Sequence, residues 1–145
     1  MKPETARGFT LLEMLVVVMI IALMVTLSGV KFGGRGKGDL ESIGQTLKAD
    51  LRHVRSKSLV GSRDTSITFD VNKKTYFSDD ASIQRSFPQK IEVNITLDEK
   101  NISGSLGKIA FYPDGSSSGG TVTLVRDGRQ LELVTSWLNG YVSLQ

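Results

Sequence analysis

At 145 residues the chain has room for one modest globular domain beside a long apolar N-terminal run. It has no cysteine, so no disulfide framework supports it, and its one histidine, His53, leaves no His/Cys cluster with metal-ligand spacing. The net charge of +3 is mild: setting aside Lys2, Arg7, Glu4 and Glu13 leaves 16 basic and 13 acidic residues, mixed along the chain rather than gathered into a polybasic face.

The first predicted element is the apolar run of residues 9–30, 22 residues in which Glu13 is the one charged side chain. As a helix it would measure about 33 Å, enough to cross the hydrocarbon of a bilayer. A carboxylate there is costly, about 3 kcal/mol at a helix centre and less near an end, and it is tolerable only with a partner. The flanks differ from an ordinary secretory signal, whose apolar stretch is shorter and precedes its small-residue cleavage site. Here Gly8 comes before the run, after a head carrying Lys2, Glu4 and Arg7. Charge counting does not orient the helix, because Lys31, Arg35 and Lys37 follow it.

Residues 31–38, with four glycines between 33 and 38, predict a flexible joint, since each glycine costs a helix about 1 kcal/mol against alanine. Asp39 suits an N-cap. Leu40, Ile43, Leu47, Leu51 and Val54 recur at spacings of three and four, which predicts an amphipathic helix ending at Gly61, its stripe buried. Lys48, Asp50, Arg52, Arg55 and Lys57 make the other, solvated face. Strands follow by alternation: Ile67, Phe69 and Val71, then 75–77 after the Asn72-Lys73-Lys74 turn, then 91–97 and the short 109–111. Residues 79–82 read as a surface loop. Residues 121–125 and 130–135 flank Asp127-Gly128, a hairpin, and Asn139-Gly140 turns the chain into a last strand at 141–144. One helix followed by six or more short strands is an α+β plan, the sheets packed on the stripe.

Residues 115–119 match Gly-x-Ser-x-Gly, the nucleophile pattern of a hydrolase elbow. That elbow needs a strand before, a helix after, a histidine and an acid. Here β-rich sequence follows and His53 sits within a helix, so a turn built on glycines is the simpler reading. Asp79-Asp80 lacks the spaced third and fourth ligands of a calcium loop. No catalytic constellation and no cofactor is expected.

The order of the N-terminus, from the charged head through Gly8, Phe9 and Glu13 to the long apolar run, resembles the prepilin leader of type IV pilins and type II secretion pseudopilins. The resemblance implies cleavage between Gly8 and Phe9 by a prepilin peptidase and N-methylation of Phe9. Glu13 becomes the fifth residue of the mature chain, its carboxylate meeting the terminal amine of a neighbouring subunit. It also implies a pilin-like fold and an N-terminus inside the cell, with the anchor in the inner membrane and the domain in the periplasm. The boundaries expected are leader 1–8, membrane and assembly helix 9–30, joint 31–38 and periplasmic domain 39–145.

A second resemblance lies further on. Phe111, the turn Pro113-Asp114-Gly115, the pair Gly119-Gly120 and the strand from Thr121 to Leu124 are similar to the C-terminal signature of the GspH/FimT family. Two functions follow from it. One is a minor pseudopilin near the tip of a short periplasmic fibre that drives protein export, its partners the other pseudopilins. The other is a FimT-like minor pilin that captures DNA. Phosphate binding needs clustered cations, and DNA-binding members are expected to carry arginines near the C-terminus. This chain has no cation after Arg129; Lys108, Arg126 and Arg129 are what remain. That deficit favours the pseudopilin.

Overall fold

A computed structural model of the chain describes residues 11–28 and 37–145, which belong to two compact units, Met1–Gly34 and Arg35–Gln145. Gly8, Phe9 and most of the expected joint lie outside the described residues.

In the first unit, α1 (Leu11–Ser28) holds Glu13 in its first turn. Every large apolar side chain from Leu11 to Ile21 is exposed on this helix, all the way round. Eighteen residues measure about 27 Å. Among the described residues no helix is long and apolar enough to cross a membrane; the apolar run of the sequence continues past both ends of α1.

The second unit begins with α2 (Lys37–Gly61). Lys37 and Gly38 are already helical and Asp39 lies within the first turn, so Asp39 is not the N-cap. At the other end Gly61 is still helical, and Ser62 takes the left-handed conformation (φ 47°) that stops it. Two hydroxyls secure that end: Thr65 Oγ1 donates to the Val54 carbonyl (2.9 Å) and Ser58 Oγ to that of Arg63 (2.9 Å).

Nine strands follow, all antiparallel: β1 (Thr65–Asp70), β2 (Thr75–Ser78), β3 (Gln84–Ser86), β4 (Glu92–Thr96), β5 (Ile102–Ser103), β6 (Leu106–Phe111), β7 (Gly120–Arg126), β8 (Arg129–Thr135) and β9 (Val142–Leu144). They form a five-stranded sheet in the order β3-β2-β1-β6-β5 and a four-stranded sheet in the order β4-β7-β8-β9. A short 3-10 turn, Glu99–Asn101, joins β4 to β5. The predicted hairpin is β7-β8, with Asp127 (φ 50°) and Gly128 (φ 73°) both left-handed at its tip, as a two-residue turn of matching twist requires. Val71 falls in the turn after β1 rather than in the strand.

Helix α2 packs on both sheets, against β1 and β6 of one and β7, β8 and β9 of the other. Leu40, Leu47, Leu51 and Val54 are buried there, and Ile43 is half-buried against the same cluster. The sheets contribute Ile67, Phe69, Ile109 and Phe111 from one side and Val122, Leu124 and Leu133 from the other. Gly44 sits on this face because the sheet comes close: a Cβ there would lie 2.4 Å from Leu131 Cδ2.

The polar face of α2 differs from the expectation at Asp50, which is buried rather than solvated. Its carboxylate accepts from Tyr76 Oη (2.7 Å) and Arg85 Nε (2.7 Å), tying α2 to β2 and β3. Burial, with the Asp50 carboxylate beside it, pushes the Tyr76 hydroxyl well above its ordinary pKa. A charge on a core face is stable only with such partners. Ile83 and Phe87, from the stretch around β3, complete this part of the core.

Three carboxyls are held below the ordinary carboxylate range. Lys57 and then the Ser78 and Ser82 hydroxyls do this to Asp80, the Lys73 backbone N–H to Asp70, and the Ser116 hydroxyl and N–H to Asp114. A depressed folded-state value means stabilisation that is complete above the unfolded pKa, near 4, and is lost as pH falls through the folded value. The expected melting temperature is therefore flat with respect to these groups from neutrality to about pH 5, and declines below about pH 4. Asp80→Asn should make that acid limb shallower. A melt series from pH 7 to pH 3 checks this, and an equal acid decline in parent and variant would remove Asp80 from the account.

Candidate functional site

The loop between β6 and β7, with Gly120 at the start of β7, holds the residues of the expected signature, Pro113, Asp114, Gly115, Gly119 and Gly120, and is a hub of hydrogen bonds. Gly115 N donates to the Tyr112 carbonyl (3.0 Å), closing the Pro-Asp-Gly turn, and Asp114 Oδ1 accepts from Ser116 N (2.9 Å) and Oγ (2.6 Å). Ser118 N donates to the Ala110 carbonyl (2.9 Å), and Ala110 N donates back to Ser118 Oγ (3.0 Å). Ser117 reaches the other sheet, its N donating to the Trp137 carbonyl (2.9 Å) and its Oγ to that of Ser136 (2.9 Å).

This settles what the Gly-x-Ser-x-Gly match does. Ser117, its central serine, is buried, and its Oγ also accepts from Gly119 N (3.0 Å). A strand, β7, follows instead of a helix. His53 is exposed on α2. The pattern is a structural tie between the two sheets. Gly120 shows why glycine is needed: its φ is 143°, and a Cβ would sit 2.2 Å from Leu97 Cδ2.

The three cations considered for DNA are divided between the two sheets. Lys108 is on β6 of the five-stranded sheet, in a hollow it shares with Asp64 and Asp79. Arg126 and Arg129 are register partners beside the β7-β8 turn of the other sheet, near Leu40. The side chain of Arg126 is 15% exposed and its Nε lies 3.3 Å from the Asp127 carboxylate. Asp80, expected in a simple surface loop, is ion-paired with Lys57 of α2.

One feature the sequence reading missed lies where the end of α2 meets two loops. Arg55 and Leu59 lie against Gly115 and Arg55 against Gly140; a Cβ on Gly140 (φ 62°) would come within 2.8 Å of both Arg55 Nε and the Gly115 carbonyl oxygen. The β8-β9 loop there exposes Trp137, Leu138 and Tyr141. Three large apolar residues within five positions were visible in the sequence, but their periodicity does not say that they face solvent.

The prokaryotic N-terminal methylation motif matches residues 5–29, and the family described as type II transport protein GspH matches residues 44–139. The type II secretion system protein H of Xanthomonas campestris pv. campestris is 28% identical over 138 residues, covering 94% of this chain and 81% of that protein. The minor pseudopilin EpsH from the type 2 secretion system of Vibrio cholerae is similar in structure (TM-score 0.60, 13% identity, 74% of this chain and 96% of that one). So is the type IV minor pilin FimU of Pseudomonas aeruginosa (TM-score 0.56, 16% identity, 75% and 90%). At these identities the two structures establish a shared pilin-like fold, and the family match extends over more than half of the sequence. The chain belongs to the GspH family of type II transport proteins.

Proposed function

We propose that the chain is a minor pseudopilin of the type II secretion system, a structural subunit of the periplasmic fibre that drives protein export across the outer membrane. The observation that carries this is α1: a helix with large apolar side chains exposed on every side belongs in lipid or in a bundle of like helices. Joined to a separate α+β unit, it makes an anchor-and-head subunit, and the family match and the secretion protein H relative point to the same role.

In this reading prepilin peptidase removes residues 1–8 and Phe9 is methylated. The anchor lies in the inner membrane, N-terminus inside and head in the periplasm. The Glu13 carboxylate meets the Phe9 amine of a neighbouring subunit, an ion pair suited to a water-poor helix bundle. The chain works by assembly rather than catalysis, with a place near the fibre tip and the other pseudopilins as its neighbours. Lys108, Arg126 and Arg129 are the groups a DNA-capturing minor pilin would have to use.

A titration separates the two. The head should bind duplex DNA only in the non-specific range, about 10⁻⁴–10⁻⁶ M, and lose it as salt rises. Arg126→Ala/Arg129→Ala should change this little. Tight binding by the parent at physiological salt, lost in the double variant, would make this a DNA-capture pilin instead.

A further inference from the structure

The fibre reading leaves open which surface of the head meets another subunit, and the β8-β9 loop supplies one. Trp137, Leu138 and Tyr141 are 68%, 67% and 61% exposed. Exposed apolar clusters on a soluble face mark interaction sites, and Trp, Tyr and Arg are the residues over-represented where binding energy concentrates.

The loop is held before any partner arrives. Ser136 N donates to the Tyr141 carbonyl (2.9 Å), Gly140 N to that of Ser136 (2.9 Å) and Tyr141 N to Asn139 Oδ1 (3.0 Å). The Ser117 tie fixes Trp137 from the other side (2.9 Å). A loop ordered in advance has little entropy left to lose on binding.

The charges beside it are positive. Arg55 runs between Gly115 and Gly140, and its Nε is enclosed with no hydrogen-bond partner among the described residues. Arg52, exposed, lies one turn back on the same face of α2. The nearby carboxylates are both engaged: Asp114 is bonded by Ser116, and Asp98, which shares a hollow with Trp137, is ion-paired with Lys100 (3.1 Å). A two-fold contact with a second copy would set these arginines against each other. Leu59 lies about 33 Å along α2 from Lys37, so the patch is at the far end of the helix from where the chain arrives from α1.

Resting on the fibre-subunit reading, we infer that Trp137, Leu138 and Tyr141, with Leu59 and Arg55, form a plug that enters an apolar socket rimmed by carboxylates on a different pseudopilin.

The test uses the full chain in cells carrying the complete secretion system. A photo-crosslinking residue replaces Leu138, with Lys73, on the β1-β2 turn, as the control position. The expected result is a protein adduct at 138 and none at 73. It should vanish when the genes for the other pseudopilins are deleted, and fall at least tenfold on adding Arg52→Glu or Trp137→Ala, exposed changes that leave melting unaltered. No adduct at 138, an adduct of the chain with itself, or one that persists without the other pseudopilins, as a lipid contact would, overturns the plug. Secretion that stops when this chain is deleted, with no adduct at 138, removes the plug but keeps the fibre reading. Secretion that continues without the chain removes the fibre reading itself.

Discussion

Leu51→Asp is expected to unfold the head domain at moderate temperature. Leu51 has no exposed surface and sits midway along the α2 stripe, where both sheets close on the helix. The substitution removes a leucine's burial, about 2–3 kcal/mol, and places a carboxylate within the buried apolar cluster. Asp50, one residue away, is tolerated because Tyr76 and Arg85 meet it. A loss of about 4–5 kcal/mol is a large part of the 5–15 kcal/mol typical of a domain. A fragment of residues 36–145 is expected to fold alone and melt cooperatively; the variant should melt far lower or not fold. Gln45→Asp, on the exposed side of the helix, should stay within about 0.5 kcal/mol of the parent. Equal melting of Leu51→Asp and parent would mean that the stripe is not the core.

Gly8→Val is expected to leave the leader attached. The proposed cleavage needs a residue without a side chain at the end of the charged head, where the peptidase must approach the backbone. Without the cut the Phe9 amine does not exist, and the Glu13 carboxylate of the next subunit loses its proposed partner. Co-expression with the peptidase and intact-mass analysis should show residues 1–8 removed from the parent and retained in the variant, which should also be missing from fibres. Glu13→Val separates the two steps: it should be cut normally, insert at least as well as the parent and still fail to assemble. A parent chain that keeps Lys2 beside active peptidase would end this account of the N-terminus.

What the sequence disclosed follows from which forces are local. The α2 stripe repeats with the helical period, so its burial was readable before the sheets were known. Asp127-Gly128 announced β7-β8 because few residue pairs accept two successive left-handed conformations. Asp50 misled for the same reason the stripe did not: a carboxylate on a helix reads as solvated unless its partners, 26 and 35 residues away, are seen. β3 carries only exposed residues and β5 spans two, so neither leaves an apolar alternation to detect. The start of α2 was misplaced because Asp39 is a favoured capping residue, whereas the helix is already formed at Lys37; its end at Gly61 was legible from the glycine. Of the functional features, the leader and Glu13 stood out as a charge within an apolar run. The spread of Lys108, Arg126 and Arg129 over two sheets, and the exposure of Trp137, depend on how the sheets pair.

The central claim, a structural role in protein export, is tested most directly by the amount of type II secretion substrate reaching the medium when this gene alone is deleted. Loss of export, with substrate held in the periplasm and restored by the parent gene but not by Glu13→Val, is the predicted result. Normal export from the deletion strain, together with loss of DNA uptake, would contradict it.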